Sequence, residues 1–507
     1  MSNSGMWKTA KVNNITIVGG GSAGYLSAIF FQTHGYRVKL IEPQDIPRLN
    51  VGEATTVALP QFLHKDCRIP FARTLRKIKP TLKIGIQFGL NKNNPNYYYH
   101  LSDVYKYFNQ MGLKYDTRLF LQSFNNKLFS YEDFMCKHRR VPFGETSNGV
   151  CGFPTWGYHI QNEKFVPYLK EEAIIKGIEI LDDSVEHCTL NPETGDIETA
   201  KLKSGKIVGS DLWIDCTGFS AKVIKHYDNK ALPVSDQLIV NSAVSVNIPN
   251  QEIPRPYTTV DPLTSGWKWG IDHMDKTTSH GYVYCDNLQS EESAIRELEK
   301  AVQHPIKDPT VIKFKAQYRK KPWQKNVIAI GNSAGFIEPM ESTAIHSHIW
   351  CLKYVLYMLH CTGDRPNQGH KDDYNKAFDS LIVNMAEFIE AHYKWATVDH
   401  DTEFWKHANN MKIGPAHQHY LDAYKRDGLM EDLDITPPRS DIFKSDGYNT
   451  IFWGSGLMPD RPIEIDEKDL KAFWQISQDV ESYVINNCLK NEDLFRDGIN
   501  DLSGVFQ

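Results

Sequence analysis

Residues 14–42, NITIVGGGSAGYLSAIFFQTHGYRVKLIE, leave little choice in how the first unit folds. Ile15 to Val18 reads as an apolar strand, followed by a glycine turn, an amphipathic helix and a second strand, Val38 to Ile41, that ends at Glu42. Gly19, Gly21 and Gly24 fit the spacing GxGxxG. The first glycine permits the tight turn, the second lets a pyrophosphate approach the backbone, and the third lets the helix sit close to the sheet. Glu42 stands where a carboxylate accepts hydrogen bonds from a ribose. A glycine turn without a ligand is the ordinary alternative. With strand, helix and acidic residue all in place, the unit is expected to bind an adenine dinucleotide, either NAD(P) or FAD.

The rest of the chain decides between them. A nicotinamide dehydrogenase completes its sheet with further βα units at once. This chain runs instead into PRLNVGEATTVALPQFL, a loop of small and hydroxyl residues that includes Gly52, Glu53, Ala54, Thr55 and Thr56. Much later, SGKIVGSDLWIDCTGFSAKVI gives a strand ending at Asp215, and KNVIAIGNSAGFIEPMEST gives another ending at Gly331 and Asn332. Strand ends with small residues, so widely spaced, suggest a nucleotide domain interrupted by insertions, as in FAD monooxygenases.

The expected fold class is therefore α/β: an FAD-binding, Rossmann-like domain of the flavin monooxygenase type, interrupted by a mostly antiparallel substrate sheet and followed by a helical C-terminal region. The expected boundaries are 12–95, 150–232 and 322–365 for the FAD-binding domain, 96–149 and 233–321 for substrate-side insertions, and 366–507 for the mainly helical region. Within the second insertion, QLIVNSAVSVNIP, SGWKWGIDHM, HGYVYC and VIKFKAQY read as strands of a sheet with one covered face, separated by a charged helix, SEESAIRELEKAVQ. Alternation puts Trp267, Trp269 and Ile271 on one side of their strand and Lys268 and Gly270 on the other.

Composition excludes several classes. At 507 residues, 23% charged and net −5, the chain carries no charge excess that would ask for nucleic acid or an anionic membrane. No apolar run reaches about 18 residues, and MSNSGMWKTAKVNN lacks the apolar core of a signal peptide, so a cytoplasmic location is expected. The nine cysteines are scattered without a CxxC pair, which argues for reduced thiols and against a metal site.

The motifs GGGSAG, VGEATT, TLKIGIQF, IDCTGF, GWKWGID and GFIEPMEST, in that order, resemble those of the flavin-dependent halogenases of the tryptophan-halogenase family, over most of residues 15–350. The FAD motifs are shared with many monooxygenases, but the Trp-x-Trp-x-Ile strand is that family's own mark. The resemblance implies a two-component enzyme. FAD, reduced to FADH2 by a separate NAD(P)H-dependent flavin reductase, gives hypohalous acid with oxygen and a halide (bromide, iodide or chloride). The acid then passes to a lysine beside a small electron-rich arene such as an indole or phenol. By this resemblance the lysine is Lys83, the assisting carboxylate Glu341, the halide contacts Thr343 and Ala344, and the insulation between flavin and substrate Trp267 and Trp269. The FAD contacts are expected at Gly19, Gly21, Ser22, Ala23, Gly24, Glu42, Ala54, Val185 and Asn332.

These residue types suit the chemistry. An ammonium that hydrogen-bonds hypohalous acid, or an amine that forms a haloamine, fixes a diffusive electrophile near one carbon. A carboxylate takes the proton that the arene then loses. Taken singly, each has an ordinary reading: Lys83 follows a basic stretch, the tryptophans suit a core, and Glu341 suits the start of a helix. In ESTAIHSH, residues 341–348, the helix beginning near Thr343 aims backbone N–H groups at the flavin's ring end while Glu341 faces the substrate. His346 and His348, two apart on that helix, point in different directions and do not form a metal pair. Three positions depart from the family pattern: Ala344 replaces a glycine, Asn332 an aspartate and Asp272 a proline.

For the substrate, Tyr448, Phe452 and Trp453 in SDGYNTIFWGSGLMPDRP are candidate ring contacts. No amino-acid clamp aligns there, so an indole or phenol is favoured over free tryptophan and over a carrier-bound substrate. Two alternatives stand beside the halogenase: a single-component hydroxylase taking NAD(P)H directly, and a non-catalytic flavin-binding descendant.

Overall fold

A computed structural model describes residues 11–43, 51–92, 97–100, 130–144, 156–227, 230–428, 442–460 and 467–495. Cys151 and most of the expected insertion 96–149 lie outside the described residues.

The glycine-turn unit forms strand Asn14–Val18, helix Ser22–Thr33 and strand Arg37–Ile41. In a six-stranded sheet, Asn14–Val18 lies between Arg37–Ile41, with Glu179–Leu181 beyond it, and Leu212–Asp215, with Val327–Ala329 and then Trp323–Gln324 beyond it. Every pairing is parallel except that of the edge strand Trp323–Gln324. Both faces of such a sheet are covered, which is why its strands read as nearly unbroken apolar runs. The backbone stitches the carboxyl ends together: Cys216 N–H donates to Val18 at 2.8 Å, and Ile330 N–H to Asp215 at 2.9 Å.

A seven-stranded sheet runs in the order Thr310–Lys313, Ser242–Pro249, Thr277–Tyr284, Gly266–Asp272, Tyr257–Leu263, Gly85–Phe88, Tyr97–His100. It is antiparallel except where Tyr257–Leu263 meets Gly85–Phe88. The charged stretch forms helix Glu291–Val302, capped by Ser290, and packs Ala294 and Leu298 against Val244, Tyr282 and Tyr284. Strand Gly266–Asp272 is buried along its whole length rather than on one side. Lys268 tolerates this because its ammonium reaches Asp261 at 2.7 Å, near the surface.

Lys83 lies where a small third sheet joins the seven-stranded one. Strand Thr81–Lys83 pairs with Gly157–Gln161, which also pairs with Gly52–Ala54 in a small antiparallel sheet. Ile84 alone separates it from Gly85–Phe88 of the large sheet, and its N–H donates to Pro256 at 2.6 Å. The C-terminal part supplies helices Thr343–Cys361, Gln368–Lys394, Glu403–Asn409, Pro415–Asp427, Lys444–Gly454 and Glu467–Asn487. Among the described residues no helix is long and apolar enough to cross a membrane, no cysteine forms a disulfide, and no His, Cys, Asp and Glu cluster could hold a metal.

Candidate active site

The glycine turn has distinct steric demands at each position. Gly19 has φ +115°, and a Cβ there would stand 2.3 Å from the Cys216 carbonyl oxygen. A Cβ on Gly24 would stand 1.8 Å from the Gly19 carbonyl oxygen. At Gly21 a Cβ would meet nothing within 4 Å, so this side of the turn is open. Helix Ser22–Thr33 starts there with no side-chain cap and no acidic residue in its first turn, which suits it to a pyrophosphate. Ala23 abuts the turn after strand Val327–Ala329: a Cβ on Gly331, at φ +76°, would lie 3.0 Å from the Ala23 Cβ. Asn332 follows in that turn, half-buried. The residues therefore fit an extended dinucleotide along the sheet's carboxyl edge.

Glu42 is held from behind. Its carboxylate accepts the Tyr25 hydroxyl and, at 2.8 Å, the Lys170 ammonium, and it is almost fully buried. Gly20, outside the GxGxxG spacing, is needed for this, since a Cβ there would fall 1.7 Å from Glu42 Oε2. Ala54 ends the short strand Gly52–Ala54 and is half-buried. Val185 opens strand Val185–Leu190 of a separate three-stranded sheet, opposite Leu202, and is buried.

Lys83 has no exposed surface, and its Nζ donates to Ser342 Oγ at 3.0 Å. Burial pulls its amine down to about 7, against the charge of Glu341, which favours the ammonium. Ser342, at φ 58° and ψ 32°, caps helix Thr343–Cys361 in the left-handed region and makes no side-chain cap bond. Serine at such a position ordinarily spends its hydroxyl on the helix's own N–H groups. Here the hydroxyl serves Lys83, and the first turn, at buried Thr343 and half-buried Ala344, is left for another acceptor.

The Glu341 carboxylate does not run simply towards an open chamber: Oε1 stands 2.5 Å from His392 Nε2, with both side chains 1% exposed. The ring N–H is not aligned on the oxygen, so neither Glu341 oxygen and neither His392 nitrogen has an aligned hydrogen-bond partner among the described residues. The His392 ring stacks on Phe88, centroids 4.4 Å apart, and meets the edge of Phe388 at 5.3 Å. Three residues before Glu341, Glu338 is buried, its carboxyl pushed up to about 8 by desolvation. It accepts the Tyr393 hydroxyl at 2.8 Å, and the Trp267 indole lies against the same carboxyl.

Trp267 and Trp269 are both buried, with ring centroids 6.2 Å apart. Trp269 lies directly over Gly281 of the neighbouring strand, where a Cβ would fall 2.0 Å from its ring. Asp272, at the end of this strand, is fixed by Arg255 through contacts of 2.7 and 2.8 Å. Burial alone would raise its carboxyl, but the guanidinium outweighs that and holds it well below the usual carboxylate range.

Tyr448 and Phe452 lie in a packed aromatic cluster: Tyr448 stacks on Tyr420 at 4.3 Å and meets Phe388 at 5.1 Å, and Phe452 lies 5.9 Å from His417. Both are fully buried, while Trp453 is half-buried. Through Phe388 the cluster backs the His392 ring. His346 and His348 diverge as expected: His346 Nδ1 lies 3.0 Å from Thr56 Oγ1, whereas His348 lies beside Gly331. Sequence reasoning missed His392, the Ser342 hydroxyl, Gly20 and the Glu338–Tyr393 pair. GFIEPMEST and GGGSAG contained Glu338, Ser342 and Gly20, but nothing singled out His392 or Tyr393.

The profile of the family described as tryptophan halogenase matches residues 14–468. The chain is similar to tryptophan 7-halogenase RebH of Lentzea aerocolonigenes, 27% identical over 503 residues that cover 90% of this chain and 91% of that protein. Among solved structures it is similar to MibH, a lathipeptide tryptophan 5-halogenase, with TM-score 0.84, 22% identity, and 96% and 93% of the two chains covered. It is also similar to Xcc4156, a flavin-dependent halogenase from Xanthomonas campestris, with TM-score 0.82, 23% identity, and 96% and 98% covered.

Proposed function

Because this chain belongs to the tryptophan halogenase family, whose members are flavin-dependent oxidoreductases, we propose that Lys83 and Glu341 are its catalytic pair. Bound FADH2, with O2 and halide, supplies hypohalous acid. The observation that carries the assignment is Lys83 itself: a fully buried amine, tethered to the residue after Glu341, with a pKa near neutrality. As an ammonium it hydrogen-bonds hypohalous acid, and as an amine it forms a haloamine; a value of about 7 makes both forms accessible in neutral solution. With the ammonium form, the arene carbon takes the halogen as the halogen–oxygen bond breaks, and the Lys83 proton leaves with the oxygen as water. Glu341 then accepts the ring proton, and the C–H electron pair restores aromaticity.

The other assignments follow from chemistry and packing. The first-turn N–H groups at Thr343 and Ala344 suit a halide. Trp267 and Trp269 fill the space between flavin and substrate with apolar bulk, which excludes water and direct oxygen transfer. Gly19, Gly21, Ser22, Ala23, Gly24, Glu42, Ala54, Val185 and Asn332 hold FAD. A separate NAD(P)H-dependent reductase delivers FADH2 by diffusion, and the substrate is an indole or phenol. Family membership favours this reading over a hydroxylase reduced directly by NAD(P)H.

The test is bromination of a panel of indoles and phenols by the protein with FAD, NADH, a separate reductase, oxygen and bromide, read by mass spectrometry with Lys83→Ala in parallel. Brominated product that disappears in the variant supports the reading. Hydroxylated product, or NADH consumption without the reductase, overturns it.

A further inference from the structure

Among the described residues the closest polar contact of the Glu341 carboxylate is with His392, fifty-one positions further on, on the helix Gln368–Lys394. Oε1 and Nε2 stand 2.5 Å apart, a close polar contact between two side chains that are each 1% exposed. The ring has little freedom to leave, because Phe88 covers one face and Phe388 meets it edge-on. Phe388 is in turn stacked on Phe443 at 4.0 Å.

Resting on the catalytic reading above, we propose that His392 is the positioning residue for Glu341: its imidazole, wedged between Phe88 and Phe388, abuts Oε1, fixes the orientation of the carboxylate, and leaves Oε2 to receive the proton that the arene loses. No redox change or further reactant is involved. The C–H pair returns to the ring, the proton goes to Oε2, and His392 stays bound at Oε1. Of the titratable groups on neighbouring elements, Lys83 of strand Thr81–Lys83 interacts with the charge of Glu341.

Two variants, His392→Gln and His392→Phe, test this with bromide and indole as probes, alongside ring-deuterated indole. The expected result for both is a fall in kcat of about 10- to 100-fold, the scale of a lost base-orienting contact, with KM for indole and FAD affinity within about 3-fold of the wild type. A primary isotope effect, small in the wild type, should appear as proton loss becomes slow. Unchanged kcat with no new isotope effect overturns the role of His392. So does a fall in kcat accompanied by lower thermal stability alone, without the isotope signature. A wild type that brominates nothing, indole or phenol, overturns the catalytic reading, and this inference with it.

Discussion

Lys83 Nζ donates to Ser342 Oγ at 3.0 Å across 259 positions of sequence. The bond ties the junction of two sheets to the cap of helix Thr343–Cys361, so the groups assigned to the electrophile and to the halide share one anchor.

Lys83→Ala should lower bromination by at least about 10³-fold, as loss of the group that positions the electrophile removes both proximity and charge stabilisation. FAD affinity, measured by fluorescence quenching, should stay within a few-fold of wild type. Lys83→Arg should not restore activity, because a guanidinium neither gives up its proton to the departing oxygen nor forms a haloamine. Activity in either variant within 10-fold of wild type would sink the assignment of Lys83.

The depressed pKa of Lys83 has a thermodynamic counterpart. The folded amine titrates near 7 and an ordinary lysine near 10.5, so between these values the unfolded chain binds more protons and stability rises with pH. Below about 7 the full penalty of burying the charge is present. Lys83→Met should therefore stabilise the fold at pH 6 by on the order of a few kcal/mol, with the gain shrinking as pH approaches 10. Urea denaturation at the two ends of this window reads the difference; an equal effect at both would contradict it.

Gly281→Ala places a methyl into the Trp269 ring and forces the indole to move. The expected outcome is leakage rather than loss of binding: more hydrogen peroxide or hydroxylated arene per FADH2 oxidised, with FAD affinity retained. A coupling ratio equal to the wild type would mean that Trp269 does not insulate the site.

The glycine turn makes a paired prediction. Gly24→Ala clashes with the Gly19 carbonyl and should lower the melting temperature even without cofactor. Gly21→Ala meets no protein atom, so it should leave the melting temperature of the apoprotein unchanged and weaken FAD binding by about 10-fold or more. If Gly21→Ala binds FAD normally, the pyrophosphate does not approach there.

What was legible beforehand follows from range. The parallel strands were readable because burial on both faces leaves apolar runs bounded by glycine turns, and strands at 14–18, 37–41, 212–215 and 327–329 formed as such. The strand Gly266–Asp272 was readable as a strand, but not as one buried on both faces, because Lys268 carries its charge out to Asp261 and so imitates a solvated position. Glu341 and Lys83 were found through local motifs. His392 was not, because an imidazole within a 27-residue helix gives no sign of a partner contributed by another turn of chain. Glu42 was read as a ribose acceptor, but that Tyr25 and Lys170 hold its carboxylate from behind was not legible, because that contact is set by how helices pack over the sheet.

The single-residue join at Ile84 has a consequence for how such an enzyme diversifies. Side chains alternate along a strand, so one residue added or removed there would turn Lys83 away from Ser342 or throw Gly85–Phe88 out of register with its neighbours. Loops at the rim can lengthen, and the aromatic cluster around Tyr448 can be repacked, without touching that join. The periphery of this architecture is thus open to remodelling, while the segment that carries Lys83 and joins the two sheets tolerates no change of length.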